Sequence, residues 1–212
     1  NGVLQDAYLA HVDSTISADR ARATDTGGSC YTARIGSVMT ANSARAEGCG
    51  NQGFDINAGS IGNLDRASAS ECGEAGFNVW GGSGVSGGGL IASECGQTVH
   101  DGGWRNDGIT VGVHSWLASS DVQSVMNGGS GISVSNHSFF DSWASDPQDD
   151  LRTRVNDNGG QGLSVGSGSF ANAPFIQAWR NVFGGVSAGS LSGLFISNAS
   201  IMDSPSGAGL SV

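Results

Sequence analysis

Three aspartates are the candidates for acid–base chemistry in this sequence. Asp101 and Asp107 border a segment that is inserted between two repeats, and Asp141 opens a second inserted segment. Two carboxyl groups roughly 5 to 10 Å apart can hydrolyse a glycosidic bond. A lyase would instead need a cation to neutralise a uronate, and Arg105 is the candidate for that role. Because 19 acidic residues make some proximity inevitable, the sequence leaves open whether the protein is an enzyme.

Aromatic, histidine and arginine side chains occur in and beside the same inserted segments. Trp80 is predicted to point outward because strand alternation places Val79 inside. His114 and His137 occupy the same position of neighbouring repeats, so their rings are predicted to stack. Packing over the scaffold, or a stacked surface pair, is the alternative role of these side chains. The residues predicted to bind a ligand are Trp80, Trp104, Arg105, His114, Trp116, His137 and Trp143.

Four cysteines follow the repeat only in part. Cys49, Cys72 and Cys95 stand 23 residues apart, whereas Cys30 falls at a different position of its repeat. Small buried hydrophobic residues suit such positions, so the four cysteines are predicted to be buried free thiols. Stacked neighbours about 4.8 Å apart would also allow a disulfide, and the sequence leaves the redox state of the four cysteines open. The chain has no Cys-x-x-Cys pair, and we expect neither a metal site nor a cofactor.

A repeat of about 23 residues must position these groups. Seven times a glycine is followed by an apolar, a variable and a second apolar residue. A serine stands seven positions after the first six of these glycines, and Ser37 stands seven positions after Cys30 in the preceding repeat. A fixed period of this length indicates one supersecondary unit stacked on copies of itself. The glycines are Gly53, Gly76, Gly108, Gly131, Gly162, Gly193 and Gly209, and the serines are Ser37, Ser60, Ser83, Ser115, Ser138, Ser169 and Ser200.

The repeat predicts an all-β fold, a single right-handed parallel β-helix (β-solenoid). Residues 1–25 are expected to form a lead-in or an irregular first coil, and residues 26–212 the β-helix, as part of a longer chain. The apolar triplets should stack in one sheet, since alternation places their first and third residues inside. The predicted interior column is Phe54, Phe77, Ile109, Ile132, Leu163 and Leu194.

Unequal repeat lengths indicate where loops leave the scaffold. Between the glycines at positions 53, 76, 108, 131, 162 and 193 the spacing is 23, 32, 23, 31 and 31 residues. Loops on a rigid scaffold often carry recognition, so we predict insertions near 96–105, 141–150 and 181–190. The first two insertions are expected to form the sides of a groove, and the residues at its base are Thr110, Ser133 and Ser135.

The amino-acid composition limits the kinds of partner that the protein can bind. The formal net charge is −10, and all nine basic residues are arginines. Nucleic-acid binding requires clustered positive charge, so no nucleic-acid partner is expected. No apolar run approaches the length of a membrane span, and none is expected.

The repeat pattern Ala-x-Ala-x-x-Cys/Asn-Gly-x-x-Gly-Phe-x-Val-x-x-x-Ser resembles the right-handed β-helix regions of bacteriophage tail spikes and tail fibres. Related repeats occur in the wider pectate-lyase-like superfamily. The resemblance implies a homotrimer in a virion tail or extracellular location, with host surface glycan as partner, and many such proteins also cleave that glycan. No catalytic motif carries over. A receptor-binding module, a polysaccharide-degrading enzyme and a purely structural shaft therefore remain as three hypotheses.

Overall fold

The protein is a parallel β-solenoid of about eight turns. A computed structural model describes residues 5–98, 105–143, 153–202 and 205–211, and no helix occurs in these ranges. Each circuit of the chain, here called a coil, adds strands to three faces, and every strand pairs in parallel with its copies in neighbouring coils. The predicted fold class is confirmed.

Face 1 is the nine-stranded sheet that contains the apolar triplets. Its strands pair in register, so that Phe54, Phe77 and Ile109 lie in one column. The strands of face 1 are β1 (Tyr8–His11), β4 (Tyr31–Arg34), β7 (Phe54–Asn57), β10 (Phe77–Trp80), β12 (Ile109–Gly112), β14 (Ile132–Ser135), β17 (Gln161–Val165), β20 (Gly184–Ala188) and β23 (Leu210–Ser211).

Faces 2 and 3 form one larger sheet, because two long strands, β11 (Gly84–Ser93) and β13 (Trp116–Val125), run across both. Face 2 otherwise contains β2 (Thr15–Ser17), β5 (Val38–Thr40), β8 (Ile61–Asn63), β15 (Phe139–Asp141), β18 (Phe170–Asn172) and β21 (Gly193–Phe195). Face 3 otherwise contains β3 (Arg22–Thr24), β6 (Arg45–Glu47), β9 (Ser68–Ser70), β16 (Thr153–Arg154), β19 (Phe175–Trp179) and β22 (Asn198–Met202).

An aromatic column fills the interior behind the first four strands of face 1. The rings of Tyr8, Tyr31, Phe54 and Phe77 stack with centroid separations of 4.8, 4.7 and 4.9 Å and interplanar angles of 7° or less. These separations equal the spacing of paired strands, about 4.8 Å, because each coil contributes one ring. Small residues such as Ala69 lie opposite on face 3, which lets the large rings fit inside a narrow coil.

The serine corner joins face 1 to face 2. The two residues before the serine adopt left-handed backbone conformations, as Val113 and His114 do with φ of 53° and 58°. The buried serine then donates its N–H to the side-chain oxygen of the serine in the next coil, at 3.1–3.3 Å. This ladder connects Ser14, Ser37, Ser60, Ser83, Ser115, Ser138 and Ser169.

The asparagine corner joins face 3 to the next strand of face 1. Cys49, Cys72 and Cys95 stack there, and asparagines continue the same column, as the repeat predicts. The N–H of Cys95 donates to Asn127 Oδ1 at 3.0 Å, and the N–H of Asn127 donates to Asn158 Oδ1 at 3.1 Å. The buried asparagine side chains thereby accept hydrogen bonds from backbone N–H groups that the corner shields from water.

The prediction of four free thiols is wrong for two of them. Cys30 and Cys49 form a disulfide with a Cα–Cα distance of 5.6 Å, whereas Cys72 and Cys95 are free and buried. Cys30 occupies the position that glycine takes in the next coils. A Cβ built on Gly53 would lie 3.1 Å from Cys72 Sγ. In the preceding coil the residue equivalent to Gly53 is Cys30, which has a side chain at this position. The sulfur of Cys30 bonds to Cys49, the residue equivalent to Cys72.

The predicted place of Gly193 is also wrong. Leu163 pairs with Val186, and Val186 with Leu210, so the triplet of this coil begins at Gly185. Leu194 instead pairs with Ala171 on face 2, and Ser200 lies in a strand of face 3. The spacing from Gly162 to Gly185 is 23 residues, so the third predicted insertion does not exist.

Candidate functional site

An exposed aromatic column runs along face 2. Trp116 pairs with Phe139, which pairs with Phe170, and each side chain points away from the interior. Their exposed fractions are 36%, 40% and 40%. The rings of Phe139 and Phe170 are parallel to within 10°, with centroids 5.5 Å apart. We call these three residues the aromatic column.

The local sequence explains why the aromatic column is so regular. Each of its residues directly follows a buried serine of the serine corner, and the serine ladder fixes the start of every face 2 strand. Glycines flank the column at both ends. A Cβ on Gly84 would lie 2.1 Å from the Trp116 ring, and one on Gly193 would lie 2.6 Å from the Phe170 ring. The glycines therefore give the terminal rings room to lie flat on the strand.

Two histidines line the serine corner beside the column. The predicted stacking of His114 and His137 is confirmed, with ring centroids 5.5 Å apart and an interplanar angle of 10°. Both residues are exposed. In the next coil Gly168 takes the corner position, and a Cβ there would lie 3.0 Å from the His137 ring. The imidazoles thus form a polar rim along one side of the aromatic column.

Trp80 lies across the same corner, at the end of its face 1 strand. As predicted, it points outward, with 38% of its surface exposed. Its ring covers Gly112 of the next coil, where a Cβ would lie 2.0 Å from Cζ3. Gly112 is two residues before His114, and Trp116 is two residues after it. The structure therefore brings four sequence-predicted residues to one edge of the solenoid: Trp80, His114, Trp116 and His137.

A polar column runs parallel to the aromatic one on face 2. Asp141 stands two residues beyond Phe139 on the same strand, and Asn172 holds the same position beside Phe170. Asn172 Nδ2 donates to Asp141 Oδ1 at 2.7 Å. The candidate catalytic residue Asp141 is thus half-buried, held in place and adjacent to the aromatic column.

Asp107 and Arg105 lie elsewhere, in a groove at the asparagine corner. This groove, of about 500 Å³, also includes Ser130 and Phe183. Asp107 Oδ1 accepts the N–H of Ser130 at 2.6 Å. Burial raises the pKa of Asp107, and hydrogen bonds from Ser130 and Ser133 oppose that effect. The two described candidate acids, Asp107 and Asp141, therefore occupy different parts of the coil.

The inserted segments leave the solenoid at two different corners. The first lies between β11 and β12, at the asparagine corner, and the second lies between β15 and β16, where face 2 meets face 3. Trp143 is exposed at the end of face 2 and does not border the Thr110–Ser133 strip of face 1. Asp101 and Trp104 lie outside the described residues.

No cluster of three or more His, Cys, Asp or Glu side chains suited to a metal ion occurs among the described residues. They also contain no helix with the length and apolarity to cross a membrane.

Neither Phe139 nor Phe170 was among the site residues predicted from the sequence. The signal was present, because Ser115, Ser138 and Ser169 were already aligned and the next residue in each case is aromatic. The missing step was to extend the alignment from the serine by one position.

Comparisons with protein-family models, with curated proteins and with solved structures found no match.

Proposed function

We propose that this β-solenoid is a receptor-binding module that recognises a cell-surface polysaccharide along the edge formed by the aromatic column and the histidines. The exposed column of Trp116, Phe139 and Phe170 is the observation that carries the proposal. Three large rings kept in water on a rigid face cost free energy relative to polar residues at the same positions. A ligand that covers them recovers that free energy.

A polysaccharide fits this surface because it is chemically two-sided and extended. The C–H faces of a sugar ring are apolar and pack against aromatic rings, whereas its hydroxyl edges need hydrogen-bond partners. The aromatic column provides the first kind of contact, with one ring per coil. The imidazoles of His114 and His137 on one side, and Asp141 and Asn172 on the other, provide the second.

One general property supports a location outside the cytosol, and a second concerns the kind of ligand. The Cys30–Cys49 bond is of a kind that forms and persists in oxidising environments. The charge of −10 and the absence of lysine fit a ligand other than nucleic acid. A virion tail or another extracellular appendage, with the chain assembled as a homotrimer, is consistent with both properties and remains part of the proposal.

Cleavage of the glycan is not part of this proposal. A glycosidase needs two carboxyl groups on either side of one bond. Asp107 lies in the groove at the asparagine corner, whereas Asp141 lies beside the aromatic column. The described residues therefore favour binding over hydrolysis.

The experiment is a binding measurement with variants of the aromatic column. Isothermal titration calorimetry with purified capsular polysaccharides, one neutral and one rich in uronic acid, and labelling of intact bacterial cells would provide two readouts. The double variant Trp116→Ala/Phe139→Ala should bind at least tenfold more weakly, equivalent to about 1.4 kcal/mol. The matched control is Phe183→Ala, since Phe183 is 61% exposed at a different corner and its loss should leave binding unchanged.

Two results would overturn the proposal. If the double variant labels cells as the unchanged protein does, the solenoid acts as a shaft. If the double variant instead changes the oligomeric state in sedimentation experiments, the aromatic column is a contact between copies of the chain.

A further inference from the structure

The two free cysteines are stacked directly on each other. The N–H of Gly73 donates to the carbonyl of Cys49 at 2.8 Å, and the N–H of Gly96 donates to the carbonyl of Cys72 at 2.9 Å. These bonds repeat the same corner geometry from coil to coil. Cys49, Cys72 and Cys95 therefore occupy equivalent positions in three successive coils, one strand spacing apart, which is about 4.8 Å.

The thiols of Cys72 and Cys95 face each other across that spacing. The Cys72 thiol donates to the carbonyl oxygen of Ser70 at 3.5 Å and the Cys95 thiol to that of Ser93 at 3.4 Å, and both residues are buried. A disulfide tolerates Cα–Cα separations of about 4.4–6.8 Å, a range that includes the strand spacing. The Cys30–Cys49 bond already joins two neighbouring coils at 5.6 Å. The backbone thus needs little movement to accommodate a second bond.

We propose that Cys72 and Cys95 are a dithiol redox pair that closes a second disulfide between neighbouring coils. The oxidant is a small-molecule disulfide such as oxidised glutathione. This proposal rests on the cysteine column alone and does not depend on the ligand of the aromatic column.

The reaction is two successive thiol–disulfide exchanges. The Cys95 thiolate attacks one sulfur of glutathione disulfide, forms a mixed disulfide and expels one glutathione thiolate. The Cys72 thiolate then attacks Cys95 Sγ and expels the second. The two protons of the cysteine thiols pass to the two glutathione molecules, and glutathione disulfide accepts the two electrons.

The order of these steps follows from the opposite directions in which the pKa values of the two thiols are shifted. Interaction with the Cys72 thiol lowers the pKa of Cys95, whereas interaction with Cys95 together with burial raises the pKa of Cys72. Cys95 is therefore the better first nucleophile, since the thiolate is the reactive form. Both sulfurs lie inside the solenoid, so the exchange takes place as the coils close during folding or when they open locally.

The test is a disulfide map of the full chain. The protein is unfolded and reduced, refolded with a mixture of oxidised and reduced glutathione, and alkylated with iodoacetamide after denaturation. Mass spectrometry of a digest should show Cys30 linked to Cys49, Cys72 linked to Cys95 and no alkylated cysteine. Two alkylated cysteines at 72 and 95 would overturn the proposal, and so would a link between Cys49 and Cys72.

Single variants check the pairing independently. Cys72→Ser should leave Cys95 as a mixed disulfide with glutathione or as an alkylatable thiol, and Cys95→Ser should leave an alkylatable thiol at Cys72, with the Cys30–Cys49 link intact in both. If either variant fails to fold, the map of the unsubstituted chain still decides the question. A Cys95→Ser chain in which Cys72 links to Cys30 or Cys49 would argue against a dedicated pair.

Discussion

Two aromatic columns run along this solenoid, one inside and one outside. The inner column of Tyr31, Phe54 and Phe77 is fully buried and stacks at 4.7 and 4.9 Å, whereas the outer pair Phe139 and Phe170 is 40% exposed and stacks at 5.5 Å. Both arise in the same way, because a position repeated in every coil becomes a line of side chains.

The difference between the columns separates stability from binding. The inner rings fill the coil and remove apolar area from water, which accounts for their presence. The outer rings gain only part of that stabilisation. Residues at their positions in other coils are smaller, such as Val38, Ile61 and Gly84, so folding alone does not require aromatic side chains there.

Truncation of an inner ring should have the largest effect. Phe54→Ala leaves a cavity between Tyr31 and Phe77, and the free energy of unfolding should fall by about 3–5 kcal/mol. Urea denaturation followed by circular dichroism measures this change. A loss below about 1 kcal/mol would mean that the inner column does not stabilise the coil as its burial indicates.

Interruption of the buried amide ladder should come next. Asn158 Oδ1 accepts from the N–H and the Nδ2 of Asn127, and Asn158 Nδ2 donates to Asn181 Oδ1. Asn158→Ala leaves the buried N–H of Asn127 without a partner and removes one of several partners from Asn127 Nδ2 and from Asn181 Oδ1. It should cost about 1–3 kcal/mol. The same denaturation measurement applies, and Asn156→Ala, in a half-buried position two residues earlier, is the control.

Truncation of an outer ring should change stability by less than about 1 kcal/mol, since Phe139 is already partly in water. Phe139→Ala is therefore to be compared with Phe54→Ala. The inner variant should change the free energy of unfolding, and the outer variant should change binding. The outer variant should keep its denaturation midpoint and lose polysaccharide binding. Equal stability losses in the two variants would remove the distinction between the columns.

The smallest effect is expected for Asp107. Because burial raises its pKa, the folded state holds the proton to a higher pH than the unfolded state does. Its contribution to stability is thus fully present below about pH 4 and is lost as pH rises through the folded pKa. Asp107→Asn stays neutral and keeps an acceptor for Ser130.

The free energy of unfolding of the Asn variant, relative to the unsubstituted chain, should accordingly increase from pH 4 to pH 7. Urea denaturation at both pH values measures it. A difference that does not change with pH would show that the folded state does not perturb this carboxyl group.

Much of the scaffold could be predicted because equivalent residues repeat at a fixed spacing. The serine register, the interior place of Phe54 and Phe77, the outward direction of Trp80 and the stacking of His114 and His137 all follow from it. Alternation also explains the error at Gly193. A glycine followed by alternating apolar residues starts strands on face 2 as well as on face 1, so the pattern alone cannot tell the two faces apart.

The parts that escaped prediction depend on contacts between coils. Cys30 stands at a glycine position, and only the three-dimensional arrangement shows that its sulfur reaches Cys49. Phe170 was overlooked because its residue type, unlike its position, suggests no chemistry. Asp107 and Asp141 lie in different parts of the coil because the two insertions leave the solenoid at different corners. The spacing of the repeats gives the length of an insertion but not the corner at which it leaves.

The serine corner has a constant length in every coil. From Tyr31 to Val38, from Ile109 to Trp116 and from Leu163 to Phe170 the chain always advances seven residues, and both insertions lie at other corners. The edge that carries the aromatic column can therefore grow only by whole coils. Duplication of a single 23-residue coil would add one ring and one corner residue in register, and would lengthen the footprint by one strand spacing. Gene duplication within such a chain would thus change the number of rings in the aromatic column in discrete steps, while the loops at the other corners diverge independently.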